Sequence, residues 1–203
     1  MQRPGGRTAR VRAQVLRAVE DELIEHGLAG IQLGRVARRA GVGRSTVYRR
    51  WGGGAALVAD LLESMAATSL PRARTGSLAG DLAANARLVG RTLADPRQGA
   101  LFRAVISAAE VDRAAARALS TFYAIRIAEW APCVTEAVER GEVPAGTDPE
   151  EVFRAVSAPL YHRLITGLGT IDRAAADRAA ATALAAARAG VFVSDAETRD
   201  ESE

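Results

Sequence analysis

The stretch LGRVARRAGVGRSTVYRRW, residues 33–51, contains two short apolar stripes with helical spacing, joined by a tight turn. Ala37 is small enough for two helices to cross closely. Four residues later, Gly41 stands where the chain must turn, and glycine adopts the positive φ of such a turn readily. Val42 and Val47 then fill the angle between the helices. This spacing predicts a helix-turn-helix with a nearly perpendicular helix pair, whose second helix projects outward.

The outward face of that second helix carries side chains that suit DNA. With Val47 and Trp51 turned inward, the opposite face presents basic and hydroxyl groups. These are Arg44, Ser45, Tyr48 and Arg49, with Thr46 toward the flank. Arginine can bond guanine through two hydrogen bonds, which discriminates between bases by roughly 1–3 kcal/mol, and hydroxyl groups can reach phosphate or base edges. We expect Arg44 and Arg49 to contact bases and Tyr48 to contact phosphate.

The charge distribution supports the same interpretation. Residues 1–51 carry 11 arginines and four acidic residues, a net charge of +7, whereas residues 52–203 carry 16 arginines and 20 acidic residues, a net charge of −4. A basic segment on an acidic body is typical of a DNA-binding protein. Arg35, Arg38 and Arg39 line the preceding helix, whose usual place is across the DNA backbone. An ordinary helical corner with solvated arginines would give the same pattern.

Helical periodicity extends over almost the whole chain, and no alternation long enough for a strand is present. We therefore predict an all-α protein of about nine helices. Residues 1–70 are predicted as a DNA-binding domain with a connecting fourth helix, and residues 71–193 as a helical ligand-binding and dimerisation domain. Residues 194–203 are acidic and predicted to be disordered. A long seventh helix is expected from about residue 112 to residue 140.

The composition excludes several other classes of protein. All 27 basic residues are arginine, so a lysine Schiff base and a lysine-containing phosphate loop are both absent. The single cysteine, Cys133, excludes an internal disulfide and a zinc site built on several thiolates. No metal-ligand spacing, nucleophile motif or dinucleotide fingerprint is present, so we predict no enzyme, no cofactor and no metal site. No run approaches the roughly 18 apolar residues of a membrane span, and the N-terminus does not resemble a signal peptide, so we expect a cytoplasmic protein.

Residues 14–62, QVLRAVEDELIEHGLAGIQLGRVARRAGVGRSTVYRRWGGGAALVADLL, resemble the N-terminal domain of tetracycline-repressor-type (TetR family) regulators. The shared pattern is an amphipathic helix followed by glycine, the turn AGV, the segment STVYRRW and an AL at the start of the fourth helix. The segments GSLAGDL, ERGEVPAGTDPEE and APLYHRLITG resemble one type of the family's variable ligand domain.

This resemblance implies a homodimeric, DNA-binding transcription regulator, usually a repressor, that a small molecule releases by binding the C-terminal domain. It places DNA contacts at Gln32, Arg44, Thr46 and Tyr48. The sequence departs from the family pattern at Gly54, where a basic residue is common. It also departs where Gln32 replaces the usual helix-capping Ser or Thr, and where Gly34 replaces a polar or basic residue. The missing basic residue leaves a second hypothesis open: a helical small-molecule sensor that acts through a protein partner without binding DNA.

The C-terminal half offers candidates for two further sites. The candidate ligand-binding residues are Phe102, Phe122, Arg126, Trp130, Tyr161 and His162. Ordinary core packing, or for His162 a surface position, would explain the same residues. Dimerisation is expected on the eighth and ninth predicted helices, because the alanine-rich ninth helix permits a close approach across a two-fold axis. The candidate dimer residues are Phe153, Val156, Leu160, Leu164, Ala180, Leu184 and Ala187. Such a dimer should bind a pseudo-palindromic operator with half-sites roughly 34–36 Å apart, or a little more.

Overall fold

A computed structural model describes residues 5–194 of the chain. This part folds into ten α-helices and no sheet, which confirms the all-α prediction. The helices are α1 (Gly5–His26), α2 (Leu33–Ala40), α3 (Arg44–Trp51), α4 (Gly54–Thr68), α5 (Leu78–Ala94), α6 (Pro96–Val111), α7 (Arg113–Trp130), α8 (Pro132–Glu139), α9 (Pro149–Thr166) and α10 (Arg173–Arg188). The predicted tail lies outside the described residues, apart from Ser194.

The predicted and observed helices differ mainly in the segment expected to form one helix from 112 to 140. The structure divides this segment into α7, which ends at Trp130, and α8, which begins at Pro132. Proline fits the first turn of a helix because its missing N–H has no partner there in any case. The break is small: Ala131 keeps helical φ and ψ of −49° and −40°, and its N–H donates to the carbonyl of Ile127 at 2.7 Å.

The chain forms two compact units. The first contains the residues up to Ser69 together with Ala100–Tyr123, and the second contains Leu70–Gly99 together with the residues from Ala124 onward. Along the chain, the first unit gives way to the second between Ser69 and Leu70, close to the predicted domain boundary. The predicted C-terminal domain is shared between the units, because α6 and α7 each contribute residues to both. The predicted domain ranges of 1–70 and 71–193 stay a prediction.

In the first unit, α1 packs against α2 and α4, and α3 packs against the same two helices. Apolar side chains that recur every three or four residues supply the core. The fully buried ones include Val15, Val19, Leu23, Val36, Val47, Leu57 and Leu61. Glu22 interrupts this apolar set as a fully buried carboxylate. The short helices α2 and α3 are therefore held mainly by tertiary packing, since eight residues are too few for a stable isolated helix.

In the second unit, α10 packs against α5 and α9, and α8 contacts α5 and α9. Alanine allows a close approach here, and Gly90 of α5 lies where a Cβ would stand 3.4 Å from the Cβ of Ala176. Asp148 caps the start of α9, because its side chain accepts a hydrogen bond from the N–H of Glu150. Cys133 lies in this core, and burial raises the pKa of its thiol to about 12. No helix within residues 5–194 is long and apolar enough to cross a membrane.

Candidate nucleic-acid interface

The turn between α2 and α3 has the geometry that its sequence predicts. Gly41 adopts a φ of +66°, a left-handed conformation that favours glycine. Its N–H donates to the carbonyl of Arg38 at 3.2 Å, and the N–H of Val42 donates to the carbonyl of Ala37 at 3.0 Å. This pair of bonds is a Schellman motif, which satisfies carbonyls that the end of α2 would otherwise leave unpaired. Gly43 then precedes α3 in an extended conformation.

Helix α3, which we call the recognition helix, separates apolar from polar side chains as predicted. Val47 and Trp51 are buried, whereas Tyr48 is 49% exposed and Thr46 is half-buried. The other exposed polar side chains of this helix are Arg44, Ser45, Arg49 and Arg50. Within the described part of the chain, no carboxylate lies within ion-pair distance of these arginines. Their charge is therefore available to an external anion.

Arg44 lies against both its own helix and α2. Its guanidinium carbon is 5.9 Å from the centre of the Tyr48 ring, a distance at which a cation interacts with an aromatic face. The same guanidinium lies close to Gly34, where a Cβ would stand 3.1 Å from Nη2 of Arg44. The glycine at position 34, unusual for the family pattern, leaves space for this arginine.

The other two positions at which the sequence departs from the family pattern, Gln32 and Gly54, lie at the starts of α2 and α4. Gln32 is the N-cap of α2 and is exposed, but its side chain makes no capping hydrogen bond, as its replacement of Ser or Thr predicts. Gly54 is the first residue of α4. A Cβ there would make ordinary van der Waals contacts of 3.5 Å with Ile31 and Leu28, so packing does not require glycine at this position.

Arg35 was predicted to contact DNA, and the structure places it differently. Its Nε donates to Oε2 of the fully buried Glu22, and its Nη2 donates to the carbonyl of Gly30 at 2.6 Å. Arg39 behaves similarly and donates to both carboxylate oxygens of Glu25, at 3.0 and 2.8 Å. Both arginines join α2 to α1; Arg35 does so because the buried carboxylate of Glu22 needs a cationic partner, whereas Glu25 is exposed. Arg35 therefore has a structural role in joining α2 to α1, and its predicted contact with DNA stays a prediction.

Sequence reasoning missed two acidic residues of this unit, Glu22 and Asp60. Asp60 of α4 accepts a hydrogen bond from Nε1 of Trp51 at 2.7 Å and pairs with Arg12 of α1 at 2.6 Å. A signal for each was present in the sequence. Glu22 falls within the apolar stripe of α1, and a buried tryptophan such as Trp51 usually needs an acceptor for its N–H.

The predicted ligand-binding residues are divided between the two units, and their role in binding a ligand stays a prediction. Phe102 and Phe122 are buried in the first unit with ring centres 5.8 Å apart, whereas the other four belong to the second unit. These four are Arg126, Trp130, Tyr161 and His162. Trp130 is buried, and its Nε1 has no hydrogen-bond partner among the described residues. Arg126 donates to the carbonyl of Leu70 at 3.2 Å, and burial lowers the pKa of its guanidinium. Tyr161 is half-buried and His162 is exposed.

Most of the predicted dimer residues lie in the protomer's own interior. The buried ones are Phe153, Val156, Leu160, Leu164, Ala180 and Ala187, and Leu184 is half-buried. The helices α9 and α10 nevertheless each have an exposed face. On α9 it contains Ala158, Pro159, His162, Ile165 and Thr166, and on α10 it contains Ala174, Arg178, Ala181, Thr182 and Ala185. Any dimer contact on these helices would use these side chains rather than the buried ones.

Two family models match this chain. The model of the tetracyclin repressor-like C-terminal domain matches residues 72–183. The model of the bacterial regulatory proteins of the tetR family matches residues 15–61, which include the helix-turn-helix.

Individual relatives support the same assignment as the two family models. The transcriptional regulator YdeS of Bacillus subtilis is 30% identical over 155 residues, which cover 75% of this chain and 78% of YdeS. The regulator AqdR of Rhodococcus erythropolis is 32% identical over 170 residues, 83% of this chain and 81% of AqdR. The crystal structure of the TetR family regulator SCO0332 superposes with a TM-score of 0.67 and 28% identity over 86% of this chain and 97% of that one.

The chain therefore belongs to the TetR family of transcription regulators, as its sequence predicted. It is a DNA-binding regulator with an N-terminal helix-turn-helix. A repressor with a C-terminal effector-binding domain, acting as a dimer, is typical of this family. Members of the family are regulators and not enzymes, which confirms the predicted absence of enzymatic activity.

Proposed function

We propose that this protein is a dimeric repressor whose α3 lies in the major groove of a specific operator. Arg44 and Arg49 would contact bases, because arginine can donate two hydrogen bonds to guanine. Ser45, Thr46 and Tyr48 would contact phosphate or base edges, and Gln32 would contact the backbone beside them. A regulator of this kind works where the chromosome lies, and we accordingly propose a cytoplasmic location.

One observation carries the assignment of α3. Its outward face concentrates arginine and hydroxyl groups, and no carboxylate of the described residues lies within ion-pair distance of Arg44 or Arg49. The nearby arginines of α2 provide a contrast, since Arg35 and Arg39 are paired with acidic residues of α1. Cations without an internal partner are available to phosphate and base acceptors, so α3 rather than α2 is proposed to supply the principal contacts.

We further propose that the exposed faces of α9 and α10 form the dimer interface. The exposed face of α10 is rich in alanine, and small residues permit a close approach of helices across a two-fold axis. Ile165, which is 58% exposed, would supply apolar area to this contact. A two-fold dimer should bind a pseudo-palindromic operator with half-sites roughly 34–36 Å apart, or a little more.

We propose that a small-molecule effector binds in the second unit near Trp130. The buried Nε1 of Trp130 has no partner among residues 5–194, and a buried donor of this kind is stabilised when an acceptor reaches it. Arg126, four residues earlier on α7, holds a partly desolvated charge with a backbone carbonyl as its hydrogen-bond acceptor. The side chains of Tyr161, His162, Phe102 and Phe122 stay further candidates.

Selection of genomic fragments by the purified protein, at about 50 and 200 mM salt, tests the DNA-binding proposal. We expect recovery of one pseudo-palindrome, with affinity that falls steeply between the two salt concentrations because phosphate contacts release counterions. Arg44→Ala should weaken binding to that site about 5- to 150-fold, the equivalent of about 1–3 kcal/mol. Arg91→Ala is the matched control, because Arg91 is an exposed arginine of α5 and its removal lowers the net charge equally.

Two outcomes would contradict the proposal. Equal losses in the Arg44 and Arg91 variants would mean that overall charge, rather than α3, determines affinity. Recovery of no sequence above background at either salt concentration would favour the alternative of a sensor that acts through a protein partner.

A further inference from the structure

The recognition helix is only weakly restrained by the backbone at its C-terminal end. Three consecutive glycines, residues 52–54, join α3 to α4. Gly52 has a φ of +71°, and no described heavy atom beyond the chain neighbours lies within 4 Å of a Cβ built at Gly52 or Gly53. Glycine has more conformational freedom than any other residue, so this connection by itself does not set the position of α3 relative to α4. No side chain caps the start of α3 at Gly43 either.

A side-chain hydrogen bond spans the same junction. Trp51 is the last residue of α3, and its buried ring donates from Nε1 to Oδ2 of Asp60 on α4 at 2.7 Å. The other carboxylate oxygen of Asp60 accepts from Nε and Nη2 of Arg12 on α1, at 2.9 and 2.6 Å. Arg12 also donates to the backbone carbonyl of Asp60 at 3.3 Å. One carboxylate thus joins three helices of the first unit.

The surroundings of Asp60 strengthen this connection. Its side chain is only 16% exposed, and hydrogen bonds to a charged group that is shielded from water are stronger than neutral ones. Burial acts to raise the pKa of the Asp60 carboxyl. The hydrogen bonds from Arg12 and Trp51, with the nearby charges of Arg12 and Arg50, outweigh burial and leave that pKa below its ordinary value. The carboxylate therefore stays ionised at neutral pH.

We propose that Asp60 is a positioning residue for DNA recognition, which holds Trp51 and, through it, the C-terminal end of α3 in the orientation that binds DNA. The inference rests on the proposed DNA-binding role of α3. Tyr48 and Arg49 lie within three residues of Trp51, so a shift of the indole would move both of them. A binding site needs its groups held within roughly 0.5 Å of the productive geometry, and neighbouring side chains normally supply that restraint.

A set of variants of the full chain separates this role from a general effect on stability. Trp51→Phe keeps an aromatic ring and removes the indole N–H, whereas Asp60→Ala removes the acceptor. Asp60→Asn keeps one oxygen that can accept from the indole, but in that orientation its NH2 group faces the donors of Arg12, so the variant loses both the charge and the hydrogen bonds that pair with Arg12. Operator affinity is measured for these variants and for the Trp51→Phe/Asp60→Ala double variant, well below each Tm.

We expect Trp51→Phe and Asp60→Ala each to weaken operator binding about tenfold, as the loss of one hydrogen bond to a charged group implies. The double variant should be no weaker than either single variant, because both changes remove the same bond. Asp60→Asn should retain affinity within about threefold. If operator affinity depended on the Asp60–Arg12 ion pair alone, Asp60→Asn would lose as much affinity as Asp60→Ala.

Fluorescence supplies a readout that requires no DNA. The chain contains two tryptophans, and Trp130→Phe leaves Trp51 as the single reporter. In that background we expect Asp60→Ala to lower the fluorescence anisotropy of Trp51 and to shift its emission, whereas Asp60→Asn should preserve both.

Operator affinities of folded Asp60→Ala and Trp51→Phe within twofold of the parent would overturn the inference, as would additive losses in the double variant. If Asp60→Ala fails to fold, Trp51→Phe decides alone: a loss of about tenfold supports the inference, and an affinity within twofold of the parent overturns it. Failure of the unaltered protein to bind any operator would instead contradict the proposed function. The fluorescence comparison would still show whether Asp60 holds the indole.

Discussion

At the scale of single residues, the arginines of the helix-turn-helix divide into two groups that their chemistry alone does not distinguish. Arg35 and Arg39 pair with acidic residues of α1, whereas Arg44 and Arg49 have no carboxylate partner among the described residues. The difference comes from Glu22, which is fully buried and requires a cation nearby. An arginine in this motif therefore contributes either to the stability of the domain or to DNA binding, depending on its neighbours.

Arg35→Ala should accordingly lower the free energy of unfolding more than it changes DNA contacts. In this variant the buried carboxylate of Glu22 keeps only one cation nearby, the guanidinium of Arg39, whose Nε lies 3.7 Å from Oε1. Loss of one partner of a buried ion pair lowers the free energy of unfolding by roughly 3 kcal/mol. Denaturant unfolding measures the effect. The Glu22→Leu/Arg35→Leu double variant is the control and should recover much of the loss, because an apolar pair needs no charge partner. If the Arg35→Ala protein were fully stable but bound its operator more weakly, Arg35 would act as a DNA contact and not as a structural residue.

Gly34 is the second residue whose role depends on a close neighbour. Gly34→Ala should leave Tm unchanged or raise it, because alanine favours a helix by up to about 1 kcal/mol. The new Cβ would displace the guanidinium of Arg44, which lies 3.1 Å from that position, so operator affinity should fall. Thermal unfolding and DNA titration measure the two effects separately. Gly6→Ala serves as the control, since no described atom lies within 4 Å of its Cβ position. Unchanged affinity in the Gly34 variant would show that Arg44 does not depend on the space beside α2.

At the scale of helices, α9 and α10 show why apolar residues in a sequence do not by themselves indicate an interface. Most of the large apolar side chains of α9, including Phe153 and Leu160, are buried in the protomer's own core, and Ile165 is the exposed exception. The exposed face of the same helix is composed mainly of small and polar residues. Two helices approach each other more closely where the side chains at their contact are small, so an exposed face of small residues can form a helix–helix interface.

We therefore expect Ala181→Arg to convert the dimer to a monomer. Ala181 is exposed on α10, so the substitution should leave the fold intact, but a long charged side chain would prevent a close approach across a two-fold axis. Sedimentation velocity measures the change. Affinity for the full palindrome should fall at least about 100-fold, because the two recognition helices no longer bind as a linked pair. Ala79→Arg, at an exposed position of α5, is the control. A dimer that persists in the Ala181 variant would place the interface elsewhere.

At the scale of the whole molecule, the basic charge is concentrated in the N-terminal quarter of the chain. The first 51 residues carry a net charge of +7 and the remainder −4, so attraction to DNA is concentrated around the helix-turn-helix.

The second unit contains the only cysteine, and the burial that raises the pKa of its thiol to about 12 leaves Cys133 almost entirely protonated at neutral pH. A thiol in that state is a poor nucleophile, so Cys133 is unsuited to redox sensing.

The helical architecture, the turn at Gly41 and the polar face of α3 could all be predicted from the amino-acid sequence. These features depend on residues only a few positions apart, and helical periodicity and glycine conformation act at that range. The family was indicated by the resemblance of residues 14–62 to the N-terminal domain of its members, and the match of the family model to residues 15–61 confirms it.

Only the tertiary structure decided which polar groups meet. The pairs Glu22–Arg35 and Trp51–Asp60 each join residues of different helices, and Arg12 lies 48 positions from Asp60. It also decided that the large residues of α9 face inward. Such contacts depend on how helices pack in space, which the period of a single helix does not contain, because a buried charge selects its partner by distance and not by sequence separation.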